Sequence, residues 1–186
     1  MARSVVRHLG CILASMSMAA SVGGLAFAQD RKEVFGDWSL ERLPTSISLA
    51  YRASVPQGDA IKTAELDFVC GNAGKIGATI IPFDGTYDNQ QDEVFVLVER
   101  YSRHSGSHLR QQWSNGYKYL FLSQQGRVDD LVRFLKVAQG DGEASVEILF
   151  AGDFDGKGDI LRIEVGLSDF SKGFSQLEAA CANKSQ

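Results

Sequence analysis

The chain has 186 residues, of which 44% are hydrophobic and 23% are charged, and its net charge at pH 7 is −4. This length suits a single domain with one core. A net negative charge gives no overall attraction to polyanions, so the composition argues against nucleic acid or an anionic membrane surface as a partner.

The first 28 residues have the pattern of a secretory signal peptide. Two arginines precede an uncharged, mostly apolar stretch over residues 9–25, and Ala26-Phe27-Ala28 offers small residues at a cleavage site. We therefore predict that residues 1–28 are removed and that residues 29–186 form a single β-rich exported domain, either periplasmic or secreted. The exported part carries 17 basic and 23 acidic residues, a net charge of −6. No later stretch is apolar enough to predict a membrane span.

The exported part alternates between short apolar runs and glycine-containing turns, a pattern typical of strands. The apolar run 94–98 is predicted to be buried on both faces, whereas alternation in 161–165 predicts a half-exposed strand. Nine strands are predicted, at residues 34–40, 46–54, 64–70, 75–83, 93–100, 108–113, 117–122, 144–150 and 159–167.

Two helices are predicted in the C-terminal half, over residues 127–138 and 171–182. In the first, apolar residues recur at the i, i+3, i+4 and i+7 spacing from Val128 to Leu135. In the second, Phe174, Leu177 and Cys181 share one face. The expected fold is therefore α+β, with a mainly antiparallel β-sheet or sandwich and two short helices.

The cysteines predict one disulfide. Cys11 lies in the signal peptide, so only Cys70 and Cys181 remain in the exported domain. Two cysteines in an oxidising compartment have one intramolecular pairing, and we expect a Cys70–Cys181 bridge. The alternative is two separate buried thiols. A redox-active pair is not indicated, because the chain has no Cys-x-x-Cys motif.

Two short motifs near the ends of the exported part resemble a known family. The first is Val34-Phe35-Gly36-Asp37-Trp38, and the second is Gly173-Phe174-Ser175-Gln176-Leu177 with its helix continuing to Cys181. Together they resemble the invasion-associated locus B proteins, which are small exported bacterial proteins. The late helix and Leu66–Cys70 are also similar to exported accessory proteins of type VI secretion. Neither resemblance implies catalytic residues.

An acidic, glycine-containing segment at residues 153–164 suggests a calcium site. The segment matches a calcium-loop template at five of its twelve positions, namely Asp153, Asp155, Gly158, Ile160 and Glu164. The candidate calcium ligands are Asp153, Asp155 and Asp159. Lys157 occupies a position where an oxygen ligand belongs, and strands rather than helices flank the segment. The alternative is a hairpin turn whose aspartates bond to their own backbone. Ca²⁺ is the only cofactor that the sequence suggests.

A stretch without any acidic residue, from Tyr101 to Val128, suggests a ligand-binding face. Cations beside aromatic rings can bind sugars or anionic groups. The alternative is ordinary core packing with solvated charges. The candidate ligand-binding residues are Arg103, Arg110, Trp113, Tyr117 and Lys118, and the expected partner is an envelope protein or an anionic glycan.

The sequence therefore favours an exported, non-enzymatic accessory or binding protein of the bacterial envelope. The Gly-x-Ser-x-Gly motif of many serine hydrolases is absent. Two alternatives stay open: an envelope hydrolase with an unidentified site, and a calcium-stabilised structural module.

Overall fold

Ten strands and two helices make up the part of the chain that the computed structural model describes, residues 31–57, 60–81, 93–100, 107–116, 119–151 and 160–184. The elements are β1 (Arg31–Phe35), β2 (Trp38–Arg42), β3 (Ile47–Gln57), β4 (Ala60–Cys70), β5 (Ile76–Ile81), β6 (Glu93–Arg100), β7 (Ser107–Asn115), β8 (Leu120–Leu122), α1 (Gln125–Gly140), β9 (Ser145–Ala151), β10 (Ile160–Gly166) and α2 (Phe170–Lys184). Residues 1–28, predicted to be a signal peptide, and the candidate calcium residues lie outside these ranges.

The strands form one antiparallel sheet in the order β1-β2-β3-β4-β5-β8-β7-β6-β9-β10. The sheet is curled, so that strands near its two ends come into contact. The indole Nε1 of Trp38 in β2 donates a hydrogen bond to the carbonyl oxygen of Gly166 in β10, at 2.9 Å. β10 also approaches β3.

Alternating side chains give the sheet a buried inner face and a more exposed outer face. In β5, for example, Ile76, Ala78 and Ile80 are buried and the residues between them are half-buried. The inner residues of most strands join both helices in a single apolar core. This alternation is the strand periodicity expected when one face of a sheet is packed and the other is solvated.

Both helices pack against the inner face of the sheet. α1 buries Val128, Leu131, Val132, Leu135 and Ala138, which follow the predicted helical spacing. α2 contacts β1, β2 and β3 and buries its own apolar stripe. The helices also contact each other, so the core is closed on the side that the sheet leaves open.

The predicted disulfide is confirmed. Cys70 at the end of β4 is bonded to Cys181 in α2, with their Cα atoms 5.6 Å apart. The bridge fixes the last helix to the middle of the sheet. Beside it lies an aromatic cluster in which the ring of Phe68 is 5.3 Å from Phe174 and 5.7 Å from Phe170.

The prediction of an α+β fold with a mainly antiparallel sheet and two helices in the C-terminal half is confirmed, but two local predictions are wrong. Residues 34–40 form two strands instead of one, because Gly36 and Asp37 turn the chain between the paired residues Phe35 and Trp38. The run 94–98 is not buried on both faces: Phe95 is 54% exposed, because both helices cover only the inner face.

Candidate binding face on the outer side of the sheet

Two of the residues predicted to bind a ligand, Arg110 and Trp113, lie on opposite faces of one strand. Arg110 lies in β7 and is exposed on the outer face. Trp113 lies three residues later, on the inner face, and is only 1% exposed, so it packs in the core. An odd spacing within a strand places two side chains on opposite faces. Arg103, Tyr117 and Lys118 lie outside the described residues and stay predictions.

Arg110 forms a small aromatic and cationic site with Phe95 of β6, which the sequence reasoning missed. The guanidinium carbon of Arg110 is 4.4 Å from the centroid of the Phe95 ring. In the β6–β7 ladder, Leu97 is directly opposite Arg110 and Gln112 is opposite Phe95. A guanidinium stacked on an aromatic ring is held in place and is weakly hydrated, which suits it to a contact surface.

A shallow cavity of about 330 Å³ surrounds this pair. Leu97 contributes a half-buried apolar side chain, and His108 and Glu99 lie opposite each other at its edge. The cavity therefore has an apolar and aromatic centre with charges of both signs around it. We call the outer surface formed by Phe95, Leu97, Glu99, His108 and Arg110 the Phe95 face.

Local packing fixes the two strands that carry the Phe95 face. The side-chain amide of Gln111 in β7 donates to the carbonyl oxygen of Arg127 at the start of α1, at 2.6 Å. Arg127 donates in return to the carbonyl oxygen of Gln112, at 2.7 Å. β6 is held between β7 and β9, with ladder partners on both edges. The exposed groups thus stand on β6, which is paired on both edges, and on β7, which is held by β6 and by α1.

A second polar cluster lies on the outer face of β2, β3 and β4. Arg52 donates to Glu65 at 2.5 Å and to Glu41 at 3.2 Å. A hydrogen bond from Lys32 is the main reason that the pKa of Glu41 is lowered, and the bond to Glu65 is the main reason that the pKa of Arg52 is raised. The charges of this cluster are thus largely neutralised by one another.

Asp67 extends this cluster into a buried position. It is 9% exposed, and its Oδ1 has no hydrogen-bond partner. Burial raises the pKa of Asp67 to about 8, and the hydrogen bond with Glu65 and the charge of that residue add to the shift. Asp67 is therefore protonated at neutral pH, because an ionised carboxylate there would be desolvated beside a second acid.

No group of three or more His, Cys, Asp or Glu side chains in the described residues is placed to hold a metal ion. The calcium prediction concerns Asp153, Asp155 and Asp159, which lie outside the described residues, and it stays a prediction. In the part of the chain that the structure describes, no helix has the length and hydropathy needed to span a membrane.

The fold has a counterpart among solved structures. No protein-family model matches the chain, and no curated protein matches it. The crystal structure of invasion associated protein B from Bartonella henselae does match, with a TM-score of 0.53 and 11% identity, over 81% of this chain and 97% of that chain. The two chains share a fold. The resemblance carried by the two end motifs is thus supported at the level of architecture, and no residue role is transferred at this identity.

Proposed function

We propose that the protein is exported through the bacterial inner membrane and acts in the envelope as a non-enzymatic accessory protein that binds another protein through the Phe95 face. The signal-peptide pattern of residues 1–28 supports export, and so does the disulfide, because disulfides persist in oxidising compartments. The fold shared with invasion associated protein B of Bartonella henselae is consistent with this role.

The exposure of Phe95 carries the binding proposal. Phe95 is 54% exposed on a strand inside the sheet, and with Arg110 stacked on it, it gives the apolar centre of a contact surface. Aromatic residues and arginine are enriched at the energetic centres of protein interfaces. Half-buried Leu97 adds apolar area beside them.

A protein fits the Phe95 face better than an anionic glycan. Arg110 would attract an anion, but Glu99 lies opposite His108 on the same surface and would repel it. Mixed charges around an apolar centre match the polar rim of a protein interface and favour one docking orientation. We therefore favour the envelope protein over the glycan as partner.

The export part of the proposal is tested by expressing the full chain with its own leader in a Gram-negative host. We expect the protein in the periplasmic fraction, with an N-terminal sequence that begins at Gln29. Retention of residues 1–28 on a cytoplasmic protein would contradict export.

The binding part is tested by photo-crosslinking from the exported protein to intact envelopes. A crosslinking residue at Gln112, opposite Phe95 in the ladder, should capture a discrete protein band. The Phe95→Ser and Arg110→Glu variants should lose about 30-fold in affinity, the effect of removing an interface hot spot of about 2 kcal/mol. Arg133→Glu on exposed α1 is the control and should bind normally. Crosslinks to glycan alone, or equal binding by all variants, would contradict protein docking at this face.

A further inference from the structure

The Phe95 face continues across two further strands. Leu97 of β6 lies opposite Leu149 of β9, and Leu149 lies opposite Arg162 of β10. Because Arg110 of β7 is opposite Leu97 on the other side, one row of outer side chains crosses four strands. Both leucines are half-buried and both arginines are exposed. We call Arg110, Leu97, Leu149 and Arg162 the leucine row, and it extends the apolar centre of the face from β6 to β9.

A row of glutamates runs beside the leucine row. Glu99 of β6 lies opposite Glu147 of β9, and Glu147 lies opposite Glu164 of β10. Each glutamate is two positions along its strand from a member of the leucine row, so both rows share the outer face. Like charges placed directly opposite each other destabilise a sheet. The glutamate row, formed by Glu99, Glu147 and Glu164, is therefore an arrangement that the stability of the fold does not favour.

A second cavity lies over the far end of the two rows. Its volume is about 470 Å³, and Glu147, Arg162 and Glu164 are among the residues that line it. Arg162 lies 3.6 Å from Glu147, and the hydroxyl of Ser145 donates to Glu164 at 2.6 Å. An exposed ion pair adds little to stability, so the cation of a partner can replace Arg162 with little loss. With the cavity around Phe95 at the near end, the rows join two recesses of the outer surface.

The charges of the two rows disfavour a second copy of the chain as the occupant. Residues 29–186 carry a net charge of −6, so two copies repel each other. If two such faces stacked about a two-fold axis along the strands, the glutamate rows would lie on each other. If the axis ran across the strands between the two rows, Leu97 would lie on Glu99 and Leu149 on Glu147. A cationic partner meets neither obstacle.

The spacing of the glutamate row favours a helix over an extended segment as the bound element. Neighbouring strands are about 4.8 Å apart, so the glutamates repeat at about that interval across the sheet. Alternate residues of an extended segment repeat at about 6.7 Å, which does not match. Residues three or four apart in an α-helix repeat at about 4.5–6 Å along its axis. A helix that crosses the strands can therefore place one cation over each glutamate.

We infer that the partner of the Phe95 face presents a basic amphipathic helix to it. The helix lies across β6, β9 and β10, with lysine or arginine side chains on the glutamate row and apolar side chains on Leu97 and Leu149. Proteins commonly recognise a helix by its side chains at i, i+3, i+4 and i+7. Arg110 and Arg162 would repel a helix that is basic on every side, which favours an amphipathic one. The inference rests on the proposed function, because it names the partner class of the same face.

A designed helical peptide is the probe, titrated into the exported full-chain protein by fluorescence anisotropy. Its lysines repeat at i, i+4, i+7 and i+11, and leucines follow the neighbouring stripe. We expect saturable binding that weakens as salt is added. A peptide of the same composition in scrambled order should bind about tenfold more weakly, because it keeps the charge but loses the amphipathic face. Equal binding of the two peptides would overturn the inference.

A triple variant tests whether the glutamate row is the site. The substitutions Glu99→Gln, Glu147→Gln and Glu164→Gln remove the negative charges of the row together with their mutual repulsion, so the fold should be kept. Binding of the probe should weaken about tenfold, as expected for the loss of three exposed ion pairs. Unchanged binding would overturn the inference.

A second triple variant is the matched control. It removes the same number of negative charges from the two helices, with Asp129→Asn, Asp130→Asn and Glu178→Gln. This variant should bind the probe normally, because its substitutions lie away from the outer face of the sheet. Equal weakening in both triple variants would show that the probe responds only to net charge and would overturn the inference.

Photo-crosslinking from Gln112 separates this inference from the proposed function. If Phe95→Ser loses the crosslinked envelope protein but the variant of the glutamate row keeps it, the face binds a protein and the inference is wrong. If neither variant loses the crosslinked protein, the proposed function fails as well. Loss in both variants supports both.

Discussion

Trp38 and Gly166 are joined by a hydrogen bond from the indole Nε1 to the carbonyl oxygen, across 128 positions of sequence. The Trp38 ring also lies 4.8 Å from the ring of Phe170 at the start of α2. A Cβ on Gly173 would lie 3.3 Å from the Cβ of Phe35, so α2 approaches β1 closely. The two end motifs of the sequence, Phe35–Trp38 and the helix that begins before Gly173, therefore form one interlocked unit.

The two tryptophans form a matched pair for testing this unit. Trp38 is 0% exposed and Trp113 is 1% exposed, but the Trp113 Nε1 has no hydrogen-bond partner. Trp38→Phe should lower the free energy of unfolding by about 1–3 kcal/mol more than Trp113→Phe does, because it leaves the Gly166 carbonyl unpaired. Urea denaturation of both variants measures this difference. Equal losses of unfolding free energy in the two variants would show that this hydrogen bond makes no net contribution to stability.

The Gly36 turn gives a second test. Gly36 has a φ of +56°, and a Cβ there would lie 2.6 Å from the carbonyl carbon of Ser168. Gly142 has a φ of +86° and open space around it. Gly142→Ala should lower the free energy of unfolding by about 1–2 kcal/mol, because an alanine there must adopt a left-handed backbone. Gly36→Ala should lower it by about 1–3 kcal/mol more, because its Cβ would also overlap Ser168. Thermal unfolding of the two variants compares them. Similar losses would contradict close packing of the turn on Ser168.

The sequence predicted the elements better than their arrangement. Alternation located most strands, and the apolar spacing located α1 within about two residues at each end. The place of β8 between β5 and β7 depends on contacts between distant residues, which no local pattern encodes. The split of the first strand depends on the positive φ of Gly36, and a Gly-Asp pair is a weaker hairpin signal than Asn-Gly.

The candidate site shows the same limit. The run Val94–Val98 is apolar at every position, so period-two alternation could not reveal that Phe95 faces outward. The sequence could have predicted that Arg110 and Trp113 lie on opposite faces, since an odd spacing within one strand reverses the face. Phe95 could be found only after β6 was placed beside β7, which brings Phe95 next to Arg110.

Reduction of the disulfide should destabilise the fold strongly. Cys70 and Cys181 are 111 positions apart, and closing a loop of that size lowers the entropy of the unfolded chain by an amount worth about 4–5 kcal/mol in the chain-entropy model. The double variant Cys70→Ser with Cys181→Ser should unfold at much lower urea concentration, and reductant should shift the wild type to the same midpoint. A thiol titration confirms reduction. If the urea midpoint of the fully reduced wild type stayed unchanged, the bridge would not be stabilising.

Asp67 predicts an unusual dependence of stability on pH. Its pKa is raised from an ordinary value of 3.8 to about 8, so between these values the folded protein binds more protons than the unfolded chain. Stability should therefore fall as the pH rises from about 4 to about 8. Asp67→Asn cannot ionise, so it should flatten this slope and be more stable than the wild type at alkaline pH by about 1–3 kcal/mol. Urea midpoints across the pH range measure the effect, with Asp130→Asn on exposed α1 as the control. An unchanged slope in Asp67→Asn would show that Asp67 is already ionised at neutral pH.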